Sequence, residues 1–166
     1  MKTARTPVIG VMGGSTADAT TTRLAEALGR AIARSGWILL NGGRNAGVMA
    51  ASAKGAKEAG GLVIGILPDK TDAKASPHLD LAIMTAMGDG RNLINILSSD
   101  VVIACQGALG TLCEITFALK HNKPLITLGF SLGDDFARYV RSGRVVSAET
   151  ADEAVARAKA YLNELS

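Results

Sequence analysis

The sequence contains few aromatic residues: one Trp, two Tyr and three Phe make up 4% of its 166 residues. Proteins that bind single-stranded nucleic acids stack the bases on aromatic side chains, so this scarcity argues against such a ligand. The net charge of +3 is also too small and too dispersed to form a basic DNA-binding surface. We therefore expect no nucleic-acid partner and a core made of aliphatic residues and alanine.

Histidine and cysteine are scarce as well, with two of each. His78 and His121 have no second ligand at metal spacing, so we expect no metal site. Cys105 and Cys113 lie in apolar surroundings, and their spacing fits neither a C-x-x-C metal pair nor a secreted disulfide framework. We interpret both as buried thiols in a reducing cytosol and expect a cytoplasmic protein.

Long apolar runs are missing. No segment approaches the roughly 20 apolar residues that cross a bilayer, which predicts no membrane partner. The basic start of the chain, residues 1–6, is followed by an apolar run that stops at Gly13-Gly14. That run is too short for the core of a secretory signal.

Glycine is abundant, with 19 residues, and it separates short apolar runs from amphipathic segments. The apolar runs predict strands over residues 8–12, 37–40, 62–67, 79–85, 101–104 and 125–128. Apolar residues at helical spacing predict five helices. The first ends at Gly36, the second and third span 48–59 and 91–98, the fourth has an apolar face over 112–119, and the last follows a capping box at 150–153.

Apolar strands that alternate with amphipathic helices indicate a mostly parallel sheet, because parallel strands need crossover helices that cover both faces. The length of 166 residues leaves room for one domain. We therefore predict a single-domain, doubly wound α/β fold over residues 1–166, a Rossmann-like domain with three α/β/α layers.

Glycine-rich turns follow three of the predicted strands. They contain Gly13, Gly14 and Ser15; Gly42, Gly43 and Arg44; and Gly107, Ala108, Leu109, Gly110 and Thr111. In a parallel sheet these turns share one edge, where ligands bind. Glycine lets backbone amides approach a ligand, and a helix N-terminus adds a partial positive charge. The sequence therefore predicts a site for a phosphate or carboxylate group.

Missing motifs narrow the choice of ligand. The G-x-G-x-x-G fingerprint is absent after the first strand, and the second strand ends in Asn41 rather than in an acid that binds ribose hydroxyls. No G-x-x-x-x-G-K-[ST] segment is present either. We therefore expect neither NAD nor a P-loop nucleotide, and we favour a mononucleotide-like or pterin-like phosphate ester.

Two arginines stand where helix electrostatics do not favour them. Arg91 follows Gly88-Asp89-Gly90 at a predicted helix N-terminus, where the dipole favours acidic residues, so it indicates an anionic partner. The alternative is an exposed arginine paired with Asp89 or Asp100. Arg44 after Gly43 indicates the same anion, and the alternative is an ordinary loop arginine.

Glu114 also has two interpretations. In Thr111-Leu112-Cys113-Glu114 it can complete a capping box that only satisfies the first amides of a helix. Beside a phosphate site it can instead orient a ribose, or activate water for attack at an anomeric carbon, while Arg91 holds the phosphate or balances charge as the glycosidic bond breaks.

Residues 107–114 resemble the G-G-x-G-T-x-x-E motif of the LOG-like superfamily, often labelled "lysine decarboxylase-like", and Arg91 stands where that superfamily carries its arginine. Similar motifs continue through Asn41-Gly42-Gly43 and Gly47-Val48-Met49, so the resemblance covers about residues 8–128. It implies a homo-oligomer, either a dimer or a tetramer. The superfamily contains cytokinin-activating phosphoribohydrolases and molybdenum cofactor carrier proteins.

The carrier branch is the better match, because Asn92 follows Arg91 where LOG enzymes show Arg-Lys, and because Gln106-Gly107-Ala108 replaces Pro-Gly-Gly. The resemblance implies a molybdenum cofactor (molybdopterin) bound by Gly13, Gly14, Ser15, Gly42, Gly43, Arg44, Arg91, Asn92, Gly107, Ala108, Leu109, Gly110, Thr111 and Glu114. One alternative is a nucleoside 5'-monophosphate phosphoribohydrolase with Arg91 and Glu114 as catalytic residues. Another is a structural protein with a vestigial cleft.

The decarboxylase label does not fit the residues. Pyridoxal phosphate enzymes need a lysine that forms a Schiff base in a pocket that holds the ring, and no lysine stands in an apolar turn at the predicted sheet edge. We therefore expect no pyridoxal phosphate.

Overall fold

A computed structural model describes residues 5–164 of the chain. Seven strands are present in this range: β1 Val8–Met12, β2 Ile38–Asn41, β3 Val63–Leu67, β4 Leu81–Met84, β5 Val101–Cys105, β6 Leu125–Leu128 and β7 Val145–Ala148. The six α-helices are α1 Ala19–Arg34, α2 Gly47–Glu58, α3 Arg91–Ser98, α4 Leu109–Lys120, α5 Ala137–Arg141 and α6 Ala151–Glu164. Short 3-10 turns precede α3 and α5, at Gly88–Gly90 and Asp134–Phe136.

The strands form one sheet in the order β4-β3-β2-β1-β5-β6-β7, and all neighbouring strands are parallel. Successive strands run outward from β1 to one edge and then from β5 to the other. The turns after β1 and β5 therefore lie side by side at the carboxyl edge, where a doubly wound sheet binds its ligands. This topology confirms the predicted Rossmann-like α/β fold.

Two apolar layers cover the sheet. One contains α1, α2 and α6, with Leu28 and Ile32 of α1 fully buried against Val48 of α2 and Ala154 of α6. The other contains α3 and α4, where Ile96 of α3 packs in a core with Ile115, Ala118 and Leu119 of α4. Burial of these aliphatic faces stabilises the packing of the helices on the sheet. The free energy gained is about 25 cal/mol for each Å² of apolar surface removed from water.

The predicted elements agree closely with the structure where the apolar pattern is strong. Helix α3 and strand β6 have the predicted bounds, and Gly36 ends α1 with a positive φ of 73°. Strand β7 and helix α5 were not predicted, because the sequence VVSA of β7 is neither an apolar run nor an alternating one, and the five residues of α5 are too few to show a helical period. Residues 1–4, which belong to the basic start of the chain, and residues 165–166 at its end lie outside the described residues.

Two interpretations of the sequence are wrong. Helix α4 begins at Leu109, so Thr111 is its third residue and Glu114 its sixth, and the two do not form a capping box. Cys105 is buried, as expected, but Cys113 is exposed on α4. Among residues 5–164, no helix is long and apolar enough to cross a membrane.

Candidate functional site

The three glycine-rich turns meet in one cleft at the carboxyl edge of the sheet. The cleft has a volume of about 200 Å³. Eleven of the residues predicted from the sequence line it: Gly13, Gly14, Ser15, Gly42, Arg44, Arg91, Asn92, Ala108, Gly110, Thr111 and Glu114. Residues distant in sequence are thus brought together by the β1–β5 switch point and by the start of α3.

Three predicted residues do not line this cleft. Gly107 instead lines a neighbouring cleft of about 480 Å³, which shares Gly14, Ser15 and Ala108 with the first. Gly43 packs against Gly65 of β3, where a Cβ would lie 3.1 Å from the Gly65 Cα. Leu109 is 82% exposed at the start of α4.

The turns after β1 and β5 pack so closely that side chains are excluded between them. A Cβ on Gly107 would lie 2.7 Å from the Gly14 amide nitrogen and 2.1 Å from Thr111 Oγ1. The Gly14 amide donates a hydrogen bond to the Gln106 carbonyl at 3.1 Å. Glycine is needed here for the close approach of two backbones, which brings the N-terminus of α4 beside the turn after β1.

The helix N-termini at this edge differ in whether a side chain caps them. In α1, the Asp18 carboxylate accepts a hydrogen bond from the Thr21 amide at 2.7 Å, so an acidic group already occupies that end. In α4, the N-cap is Ala108 and no side chain caps the first turn. Because the first amides of a helix lack intrahelical acceptors, this end of α4 can bind an anion.

Arg91 lies in the wall of the cleft without a counter-ion. Among residues 5–164 its side chain makes no hydrogen bond or ion pair, and its buried Nε atom has no acceptor. Burial lowers the pKa of its guanidinium, while the negative charge of Glu114 opposes that shift. Neither expected partner pairs with it, since Asp100 binds Arg5 and Asp89 stays beyond ion-pair distance. The interpretation of Arg91 as an exposed, paired arginine is therefore wrong.

Gly42 makes room for the Arg91 side chain. A Cβ on Gly42 would lie 2.0 Å from Arg91 Nη1 and 2.7 Å from the Met49 sulfur. The turn that contains Gly42 is held by Asn41, whose side chain donates to the Met49 carbonyl at 2.9 Å and accepts from the Gly43 amide at 2.8 Å. A dinucleotide-binding fold carries a ribose-binding acid at the position of Asn41. Here Asn41 shapes the wall of the cleft instead.

Arg44 lines the same cleft but already has a partner. Its guanidinium binds the Asp69 carboxylate through hydrogen bonds of 2.9–3.1 Å. The loop between β3 and β4 is also tied to this turn by a bond from the Ser76 amide to the Gly43 carbonyl and by a bridge between Arg44 and Ala75. Of the two arginines, Arg91 is therefore the one available to an anion without breaking an ion pair.

Glu114 is buried at the floor of the cleft, with 6% of its surface exposed. Its hydrogen-bond donor is the side-chain amide of Asn95, at 3.1 Å, and no cation lies within ion-pair distance among the described residues. Burial raises the pKa of Glu114 to about 7, although the Asn95 bond and the charge of Arg91 act in the opposite direction. Near neutral pH this carboxyl can both accept and release a proton.

Sequence reasoning missed five residues of this region. Val11, Met12, Met49 and Asp89 also line the cleft, and Asn95 contacts Glu114 from below. The apolar members belong to elements that were read only as core. Asn95 could have been found as a polar residue one helical turn after Arg91, on the face of α3 that packs against α4.

Comparison with known proteins places this arrangement among solved relatives. The molybdenum cofactor binding protein from Rippkaea orientalis is 45% identical with a TM-score of 0.91, and the match covers 96% of this chain and 99% of that chain. The molybdenum cofactor carrier protein from Chlamydomonas reinhardtii is 42% identical with a TM-score of 0.87, with the same coverage.

A curated relative belongs to the enzyme branch. A cytokinin riboside 5'-monophosphate phosphoribohydrolase from Rhodococcoides fascians is 36% identical over 116 residues. The matched region makes up 64% of this chain and 58% of that protein. The sequence profile described as LDcluster4, the SLOG cluster4 family, matches residues 6–158. The LOG-like resemblance inferred from the motif is therefore confirmed, and the chain belongs to the SLOG cluster4 family.

Proposed function

We propose that the protein is a cytoplasmic carrier that binds the molybdenum cofactor, a phosphorylated pterin, in the cleft at the carboxyl edge of its sheet. The observation that carries the proposal is the unpaired Arg91 guanidinium, which shares a cleft with the uncapped N-terminus of α4. A half-buried cation without a counter-ion is costly, and a phosphate group would supply the missing charge.

The shape of the region agrees with an elongated ligand. The first cleft continues into the neighbouring one through Gly14, Ser15 and Ala108. Its walls combine backbone amides with the polarizable side chains of Met12 and Met49. Amides and Arg91 can hold a phosphate, while the methionines offer an apolar surface to a flat ring.

The experiment measures ligand-induced stabilisation. A ligand at 100 times its Kd raises the free energy of unfolding by about 2.7 kcal/mol, which shifts the melting temperature by several degrees. We expect molybdenum cofactor, freshly released from a molybdoenzyme under anoxic conditions, to produce this shift, and free molybdate at the same concentration to produce less. The absence of a shift with any phosphorylated ligand would exclude the cleft as a binding site.

Hydrolysis of a nucleoside 5'-monophosphate is the second candidate, and Glu114 is the observation that favours it. A buried carboxyl with a pKa of about 7 in the same cleft as Arg91 can exchange a proton with water or a leaving base. Incubation with AMP and with adenine-type monophosphates decides between the candidates. Release of free base that disappears in Glu114→Ala would establish hydrolysis, whereas binding without release supports a carrier.

We also propose that the protein forms a homo-oligomer, since large apolar side chains are exposed on the α3–α4 layer. Leu97 is 50% exposed and Leu112 is 39% exposed. We expect light scattering to give a mass above that of one chain, and Leu97→Glu with Leu112→Glu to reduce it. Leu62→Glu is the control, because Leu62 is 47% exposed outside this layer. A monomeric wild-type protein would refute the proposal.

A further inference from the structure

Asn95 is a fully buried polar residue in the contact between α3 and α4. Its side-chain nitrogen donates to Glu114 Oε1 at 3.1 Å, while its side-chain oxygen is buried and has no donor among residues 5–164. Asn95 does not line the cleft itself and is not part of the glycine motif. It therefore acts on the cleft only through Glu114.

An asparagine with an unsatisfied side-chain oxygen is an unfavourable residue for a position that only fills the core. A buried acceptor without a partner is destabilising, and an apolar residue of similar size would avoid that cost. The same helix places Ile96 in the core, so an aliphatic side chain fits this layer. The presence of an amide indicates a role for its one satisfied bond.

We propose that Asn95 is a positioning residue, which fixes the Glu114 carboxyl in the floor of the cleft and sustains its ionised form. The direction follows from its chemistry, since an amide N–H stabilises a carboxylate. The proposal rests on the proposed function only where it takes a phosphorylated ligand to bind beside Glu114.

Other charged groups around Glu114 do not take over this role. Arg91 attracts the carboxylate from α3 but lies beyond ion-pair distance. Asp89, and the Arg44–Asp69 pair across the cleft, act on Arg91. On α4 itself, Cys113 carries a thiol whose pKa is raised by partial burial and by the nearby Glu114 charge. The described residues therefore supply one direct donor to Glu114, and it is Asn95.

A consequence for binding follows. An anionic ligand beside Arg91 repels an ionised Glu114, so it binds better when that carboxyl is protonated. Loss of the Asn95 donor keeps Glu114 protonated to higher pH. Phosphate esters should then remain bound at pH values where the wild-type protein releases them.

The test measures the titration of Glu114 without any ligand, in full-length protein labelled with ¹³C at glutamate side-chain carboxyls. The resonance that disappears in Glu114→Gln identifies the residue. We expect Asn95→Leu to raise the midpoint by about one pH unit, because a hydrogen bond to a charged group is worth about 1.5–3 kcal/mol and one unit is 1.36 kcal/mol. Thr127→Val is the control, since Thr127 is a buried polar residue of β6 that lies outside the cleft and makes no bond to Glu114.

Asn95→Ser serves if the leucine variant does not fold, because its short hydroxyl cannot span the distance of the amide and should raise the midpoint likewise. An unchanged midpoint in both variants would overturn the proposal and leave Asn95 a packing residue. The second readout is the affinity for AMP at pH 6 and pH 8. The proposed function fails if no ligand binds, whereas the role of Asn95 fails if the titration does not move, so the two failures are distinguishable.

Discussion

Replacement of Arg91 by methionine is expected to lower the affinity for a phosphorylated ligand by tenfold to a hundredfold. The guanidinium shares the cleft with the first amides of α4 and has no competing partner among residues 5–164. A hydrogen bond to a charged group is worth about 1.5–3 kcal/mol, and each 1.4 kcal/mol is a factor of ten. Titration calorimetry with the cofactor or with AMP measures the loss.

The same substitution is expected to raise the melting temperature of the ligand-free protein at pH 6. Methionine keeps an apolar stem of similar length but removes a half-buried cation that has no ion-pair partner. At that pH Glu114 is largely protonated, so little of its attraction to Arg91 is present, and the attraction to Asp89 and Asp69 is opposed by repulsion from Arg44. Opposite changes in stability and affinity are the mark of a binding residue that is strained in the empty site.

Two further variants separate charge from position. Gly42→Ala keeps the arginine, but its Cβ would lie 2.0 Å from Arg91 Nη1 and must displace the guanidinium, so affinity should fall in the same direction. Arg34→Met removes an exposed arginine at the end of α1 and should leave affinity unchanged. If Arg91→Met binds phosphorylated ligands as tightly as the wild-type protein, the anion is held elsewhere.

The fold and the position of the cleft could be predicted because they depend on local signals. Short apolar runs ended by glycine mark strands, and parallel strands bring their turns to one edge, so Gly13, Gly42 and Gly110 could be assigned to one region. The bounds of α3 and β6 were predicted correctly for the same reason. Strand β7 was missed because Ser147 interrupts Val145–Ala148, which therefore shows neither an apolar run nor alternation.

The pairing of charges could not be predicted, because it depends on side chains distant in sequence. Arg44 and Arg91 follow glycine turns alike, yet Arg44 is paired with Asp69 in the β3–β4 loop and Arg91 is unpaired. Glu114 looked like a capping residue because Thr111 precedes it at the right spacing, but α4 starts two residues before that threonine. The bond from Asn95 arises only when α3 packs on α4.

These differences describe how the cleft is built. Backbone geometry supplies the amides, and glycines bring them close, as at Gly107 and Gly14. The unpaired charge of Arg91 and the buried carboxyl of Glu114 then cost stability that the aliphatic core offsets. Such destabilising features concentrate where a ligand binds. The effect of each of these two residues should therefore be measurable in the free energy of unfolding of the ligand-free protein.

Replacement of Glu114 by glutamine is therefore expected to stabilise the ligand-free protein at pH 8 by up to about 3 kcal/mol. The pKa of Glu114 is raised from 4.5 to about 7 in the folded protein. Between these values the unfolded chain has released a proton that the folded protein still holds, so stability falls as pH rises through this range. Above pH 7 the full cost is present, about 1.36 kcal/mol for each pH unit of the shift.

Glutamine removes this cost at every pH and still accepts the hydrogen bond from Asn95. Because the substitution also removes the negative charge that attracts Arg91, part of the gain in stability is offset. Urea unfolding at pH 5 and at pH 8 measures the difference, which should grow with pH. Glu153→Gln is the control: hydrogen bonds from the Glu149 amide and from Arg157 lower the pKa of Glu153, so that variant should gain no stability at pH 8. A Glu114→Gln variant whose stability relative to wild type is the same at both pH values would mean that Glu114 is ionised in the folded protein across this range, because the cost of its burial would then be absent.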